Sequence, residues 1–317
     1  MTKSYPLPFY NKKILSKSKL PFFELNYYKK GGLSIMHSIN KIGDCFWYMT
    51  PIAETDRPIL GMVVGQNKTL MIDAGNSEEH AHYFQEELLK MGVPKPDMVV
   101  LTHWHWDHIF GLSALRQMVS IASKETKTAM EKLIPFSWSD EALDARVKEG
   151  IEIEFCARAI KEEFKDHRDI QIALPDVTFD KRVEIDLGGV TCILQHVGGN
   201  HAADSVVVYI KEEKILFLAD CIYPNLYAEK VHYTVKETLR LLAELEQFDA
   251  DTYIPSHQQP ITKEAFNQEV AMLRTIATYT DSCDGDSQKI MQAYKKHVKR
   301  ELTEDEIETI SDFVNGY

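Results

Sequence analysis

The chain has 317 residues, 44% of them hydrophobic, and a formal net charge of −12. That length allows one large domain or one domain with extensions, and the acidic balance argues against a sequence-independent nucleic-acid binder, which needs a basic face. Five cysteines (Cys45, Cys156, Cys192, Cys221 and Cys283) are odd in number and contain no CxxC pair. They read as reduced thiols of a cytosolic protein rather than a disulfide framework. No run approaches the roughly 18 apolar residues of a membrane span, so no membrane contact is expected. The basic, aromatic N-terminal stretch lacks the apolar core of a signal peptide, and residues 1–34 read as an irregular arm.

From Ile35 the pattern becomes β-rich. Cys45–Met49 is aromatic and strand-like. Ile59–Val64 and Thr69–Asp73 are apolar runs joined by Gly-Gln-Asn-Lys, a hairpin signal. Glu78–Met91 is an amphipathic helix closed by Gly92. Met98–Thr102 is short, apolar and β-branched, as a buried strand is. A helix is expected over Ile109–Met118, then the strand VSIAS and the helix ETKTAMEKL. Residues 139–168 are charged, helix-favouring and without strand pattern, and read as an inserted helical cap or lid. Strands are expected at Thr178–Ile185 and Val190–Gln195, then at Ser205–Ile210 and Ile215–Leu218. A helix over Val235–Gln247 would bury Leu239, Leu242 and Leu245. The strand DTYIP follows, and helices are expected over 262–280 and 287–314, separated by the acidic loop DSCDGDS. Alternating sheets and helices with a β-hairpin beginning indicate one α/β unit.

The chemistry concentrates in THWHWDHIFG, residues 102–111. Three histidines and an aspartate fall within six residues, directly after the Met98–Thr102 strand. His103 and His105 are two apart and share a face of extended backbone. Asp107 and His108 lie where the chain turns into a helix. Imidazole suits zinc and similar ions, and a carboxylate adds charge for a second ion.

HWHWDH resembles the HxHxDH signature of the metallo-β-lactamase superfamily. Four further segments are similar to that family's motifs. TLMIDAGNS resembles its first motif and would make Asp73 a residue that orders the ligand loops. LQHVGGNHAADSVVVY would supply His201 as a ligand, with His196 a structural histidine upstream. ILFLADCIYP would supply Asp220 as a bridging aspartate, with Cys221 a packing residue. YIPSHQQP would supply His257, with Ser256 in place of the usual glycine. The resemblance covers about residues 35–260; the insert lies within that span but outside the motifs, and residues 261–317 form a C-terminal helical extension.

The resemblance implies an αββα sandwich and a binuclear cage. His103, His105 and His201 would hold one ion, and Asp107, His108 and His257 the other, bridged by Asp220. Zinc is the expected metal, with iron or manganese the alternatives, and a hydroxide between the ions would be the nucleophile. Asp107 and Asp220 would thereby belong to the catalytic apparatus. Tyr223, three residues after Asp220, has a spacing similar to the lactonase branch, where the hydroxyl reaches the substrate. The expectation is a hydrolase of a small acyl substrate (lactone, thioester, ester or lactam). A phosphodiesterase or nuclease and a di-iron redox protein are the alternatives on the same fold. A homodimer through the C-terminal helices is a further expectation.

Overall fold

The computed structural model describes residues 37–165 and 167–317. The arm expected over residues 1–34 lies outside them. Two sheets face each other with helices on both outer faces. The first sheet runs β1 (Ile39–Ile42), β2 (Phe46–Met49), β3 (Leu60–Val64), β4 (Thr69–Ile72), β5 (Met98–Val100), β6 (Val119–Ser123) and β7 (Val177–Phe179) in spatial order. Its first four strands are antiparallel and its last four parallel. The second sheet comprises β8 (Arg182–Asp186), β9 (Thr191–His196), β10 (Val206–Ile210), β11 (Ile215–Ala219), β12 (Thr252–Pro255) and β13 (Ile261–Thr262), neighbours in that order. Only the β11–β12 pairing in it is parallel.

The continuous apolar runs are explained by burial on both faces of each sheet. In β10, Val206, Val208 and Ile210 enter the core between the sheets, while Val207 and Tyr209 face the outer helices. In β11, Ile215, Phe217 and Ala219 point inward, and Leu216 and Leu218 outward. The same alternation places Leu70 and Ile72 of β4 between the sheets and Met71 under the first helical layer. Strand periodicity thus builds three stacked apolar layers from two sheets.

The first helical layer contains α1 (Glu78–Lys90), α2 (Trp106–Ile109), α3 (Lys124–Glu131), α4 (Asp140–Glu149) and α5 (Glu154–Phe164). Phe84 and Leu88 of α1 share an apolar cluster with Trp106, Phe110, Trp138, Leu143 and Ile160. Residues 139–168 therefore cover the core through α4 and α5. The Arg57 guanidinium ties α5 down by pairing with Glu163 at 2.7 Å. The second helical layer contains α6 (Val235–Leu245), α7 (Lys263–Ser282), α8 (Ser287–Val298) and α9 (Glu304–Asn315). Leu242, Phe266, Leu273, Ile290 and Phe313 bind these helices to the second sheet and to each other.

Four local expectations need correction. The run Thr178–Ile185 is two strands in two sheets, β7 and β8, with the crossover at Asp180–Lys181. Half-buried Val183 and Ile185 continue the alternation past the break, so the pattern gives no warning of it. The helix expected over Ile109–Met118 begins at Trp106 and continues as a 3-10 helix over Phe110–Leu115. The segment 287–314 is two helices. Lys299 adopts a left-handed conformation at φ 55°, and Thr303 starts α9 with a capping box to Glu306. In α6 the buried stripe is Leu241, Leu242 and Leu245, with Leu239 only part-buried.

Candidate metal centre

β9, β11 and β12 run in one direction, so their C-terminal ends lie at one edge of the second sheet. The loops leaving them carry His201, Asp220 and His257, the loop leaving β5 carries His103 and His105, and α2 carries Asp107 and His108. His105 is extended at φ −61°, ψ 145° and precedes α2. Asp107 then falls in the first helical turn, where exposed backbone N–H groups favour a carboxylate. The approach of the His201 and Asp220 loops depends on Gly199, which sits at φ +137°. A β-carbon there would stand 2.7 Å from the Cys221 carbonyl oxygen. Ala219, just before Asp220, holds a left-handed φ of 50°, a strained conformation for a residue with a β-carbon.

All seven sequence-named residues meet in two groups, buried except for part-exposed His257. His103, His105 and His201 form one, and Asp107, His108, Asp220 and His257 form the other. Within the first, His105 Nδ1 lies 3.1 Å from His103 Nε2 and 2.8 Å from His201 Nε2. Asp220 Oδ2 stands between the groups, 3.8 Å from His103 Nε2, 3.4 Å from His201 Nε2, 3.3 Å from His108 Nε2 and 3.2 Å from His257 Nε2.

The electrostatics of the groups differ. Burial holds His103, His105 and His201 below the ordinary imidazole range, as neutral rings with free lone pairs. Burial would also lower His108, but the Asp107, Asp73 and Asp220 carboxylates outweigh it and hold the ring well above its usual range. His257 is raised in the same way, by Asp220 and Asp107. Conversely, burial disfavours charge on Asp107 and Asp220, yet the His108 and His257 rings hold both below the ordinary carboxylate range.

The donor set fits a pair of metal ions. Asp107 Oδ2, His108 Nε2 and Asp220 Oδ1 are buried without hydrogen-bond partners among the described residues. His108 Nε2 and Asp107 Oδ2 are 2.9 Å apart but lack the alignment of a hydrogen bond. Buried polar atoms are normally satisfied, and convergent orphans of this kind are accounted for by a shared cation.

Asp73 accepts hydrogen bonds from Thr102 N at 2.8 Å, Thr102 Oγ1 at 3.0 Å and His108 Nδ1 at 2.8 Å. It thereby fixes the His108 ring with Nε2 turned to the other donors. His196 is outside both groups and bonds the Ala203 carbonyl through Nε2 at 2.8 Å. Cys221 is buried in the apolar layer beneath the helices, and burial pushes its thiol far up. Ser256 is fully buried, its carbonyl accepting from Ile59 N at 2.7 Å. Tyr223 lines the adjoining cavity, and its oxygen accepts a hydrogen bond from Gln258 Nε2 at 3.2 Å. Burial pushes the phenol well above its usual value, so it stays protonated.

That cavity, of about 220 Å³, opens from the cage between α5 of the insert and the C-terminal helices. Sequence reasoning missed several of its residues. Asp56 lies 3.6 Å from His257 Nδ1, and burial together with the Asp107 charge pushes it up to about 8. Tyr227 packs against His105 at 5.0 Å between ring centres. Glu269 on α7 and Asp312 on α9 also line it. Asp56 had no signal beyond a polar turn before Pro58, and the helical residues fall outside the resembling motifs.

Two facing sheets covered by helices, with a His/Asp cage at one edge, define a metal-site αββα sandwich. The metallo-β-lactamase superfamily model matches residues 57–257, and the chain belongs to that superfamily. A metallo-β-lactamase from Pontibacter korlensis is similar in structure, with a TM-score of 0.53 and 20% identity over 74% of this chain and 98% of its own. A stereoselective inverting sec-alkylsulfatase from Pseudomonas sp. superposes with a TM-score of 0.60 and 14% identity over 89% of this chain and 49% of its own. In sequence, a linear primary-alkylsulfatase from Pseudomonas sp. is 24% identical over 242 residues, which are 69% of this chain and 45% of that protein. The chain thus spans under half the length of that curated relative. Among the described residues, no helix is long and apolar enough to cross a membrane.

Proposed function

We propose that the chain is a binuclear metal-dependent hydrolase that cleaves a small to medium acyl substrate: an ester, thioester, lactone or lactam. The observation that carries this reading is the seven-residue cage opening into a cavity whose wall presents a protonated tyrosine. His103, His105 and His201 would hold one ion and Asp107, His108 and His257 the other, with Asp220 shared. Zinc suits the imidazole-rich donor set. Two such ions, when bound, supply Lewis acidity and a water ionised near neutral pH. Tyr223 has its oxygen engaged by Gln258, which leaves its proton free to be donated to an oxyanion in the cavity. The part-buried apolar residues Ile153, Phe155, Leu226 and Met272 line the same space and suit the carbon skeleton of such a substrate.

Sulfate-ester hydrolysis is the second reading, favoured by the similarity to the sec-alkylsulfatase, which extends over 89% of the chain. Against it stands the lining of the cavity. Among its described residues there is no lysine or arginine to meet a sulfate, whereas Asp56, Glu269, Asp305, Glu308 and Asp312 are all acidic.

The test is metal content per chain in protein purified without chelators, beside the double change D107A/D220A. About two equivalents of zinc, falling sharply in the variant, are expected, together with turnover of esters or thioesters in preference to alkyl sulfates. One equivalent or none, unchanged in the variant, would overturn the cage. Preference for alkyl sulfates would replace the acyl reading with the second one.

A further inference from the structure

The acidic wall of the cavity falls outside both groups of the cage. Glu269 comes from α7, and Asp305, Glu308 and Asp312 from α9. Asp312 is only 8% exposed and lines the cavity, and burial and the Glu308 charge, with no hydrogen bond beside them, act on its carboxylate. Asp305 is part-exposed, but its Oδ1 is buried without a partner among the described residues. Glu308 and Asp312 are four residues apart on one helix, where like charges repel. Burying carboxylates without partners costs stability, and it is worst where they face each other. Nothing in the fold demands acids there, since the neighbouring positions Phe313 and Ile310 already supply the packing.

These carboxylates are not a third metal site. Among the described residues, the groups close enough to share an ion are the two of the cage. The acidic groups are more widely spaced and are interleaved with apolar and aromatic surface. Tyr233, Val231, Met272 and Leu273 line the same cavity. The Tyr233 hydroxyl donates to the Ile222 carbonyl at 3.1 Å, and its ring stacks on Phe313 at 5.0 Å. Carboxylates spread around an aromatic and aliphatic wall match an organic cation, whose charge is diffuse and whose alkyl groups need apolar contact.

We propose that the substrate hydrolysed at the cage carries an ammonium group, which Asp312 and Glu269 hold in the cavity beside Tyr233. This rests on the acyl-hydrolase reading and adds the substrate's charge to it. The cage would take the scissile carbonyl, and the distance to α9 would select the length of the spacer. Burial and the neighbouring Glu308 push Asp312 up to about 7, and burial pushes Glu269 up to about 7. A bound cation would return both to the ionised form.

Two measurements test this on the zinc-loaded full-length protein. The first compares kcat/KM for nitrophenyl esters of trimethylammonio-alkanoic acids of increasing chain length, each beside the isostere with carbon in place of nitrogen. At the fitting length the cationic ester is expected to win by about tenfold or more. The double change D312N/E269Q is expected to collapse that ratio towards one. The second follows binding of hexyltrimethylammonium and of hexyl sulfate by calorimetry, which needs no turnover. The cation is expected to bind, and the double change to weaken it about tenfold, with the anion binding less well. Equal rates on the ester pairs, or equal affinity for the two ions, would overturn the ammonium assignment. Selective cation binding without turnover of any ester would leave this assignment standing and overturn the acyl reading instead.

Discussion

Asp73 illustrates how much of the centre depends on groups that are not themselves ligands. It holds a left-handed φ of 61° and receives three hydrogen bonds, two from Thr102 and one from His108. Asparagine would keep the shape and lose the charge that favours the His108 tautomer facing the cage. Asp73→Asn is expected to weaken metal binding about ten- to a hundredfold, measured by competition with a chromogenic chelator. Unchanged affinity would mean that Thr102 alone sets the loop. The seven cage residues were legible because the chemistry is local: four fall in one hexapeptide, and the rest follow apolar strands in order. Asp56 was not legible, because only the fold carries it to within 3.6 Å of His257. The cage roles were read through resemblance, whereas Tyr227, Glu269 and Asp312 belong to contacts that no short motif encodes.

At the scale of elements, α2 and the 3-10 helix that follows it are locked to the loop between β4 and α1 by backbone contact. Gly111 N donates to the Gly75 carbonyl at 3.0 Å, and Ala74 N donates to the His108 carbonyl at 2.9 Å. A β-carbon on Gly111 would collide with the Ala74 carbonyl and reach within 2.6 Å of the Ser77 oxygen. Gly111→Ala is therefore expected to destabilise the protein by roughly 3 kcal/mol or more, read from denaturant midpoints with metal present. A loss below about 1 kcal/mol would show that the two segments separate easily. The strands and helices with strong periodicity were readable: β3 and β4 as a hairpin, α1 with its closing glycine, and β10 with β11. The errors fell where pattern continues across a break, as between β7 and β8. They also fell where a cap rather than a change of pattern marks the break, as at Thr303 and Glu306, whose side chains cap α9 reciprocally.

For the whole molecule, the acidic wall makes stability depend on pH. Asp312 has a folded value of about 7, above the roughly 3.9 of an exposed aspartate. The folded state holds this proton more tightly than the unfolded chain does. The stabilisation is complete below about pH 4 and is lost as pH rises through about 7. Glu269 follows the same course with its folded value of about 7. The unliganded protein is thus expected to lose thermal stability between about pH 4 and pH 7, by an amount on the order of 4 kcal/mol from Asp312 alone. D312N should flatten that slope and raise the midpoint at pH 8. A slope identical in the variant would mean that Asp312 titrates normally.

The cage also joins parts of the chain that are far apart in sequence. His103 to His108 precede the α4–α5 turn, where Ile151 is 52% exposed, and His201 to His257 follow it. Bound ions would therefore act as rivets between two pieces, each carrying most of one sheet. Consider a protein severed once at that turn by a protease. The pieces would remain partnered through the sandwich core while the rivets are in place. Removing the metal should loosen the partnership about a thousandfold if free metal had stood a thousand times above its Kd. Gel filtration of the severed protein at low concentration, with and without chelator, would show one peak becoming two. A single peak in both conditions would mean that the sheets hold together without the ions, leaving metal to serve chemistry alone.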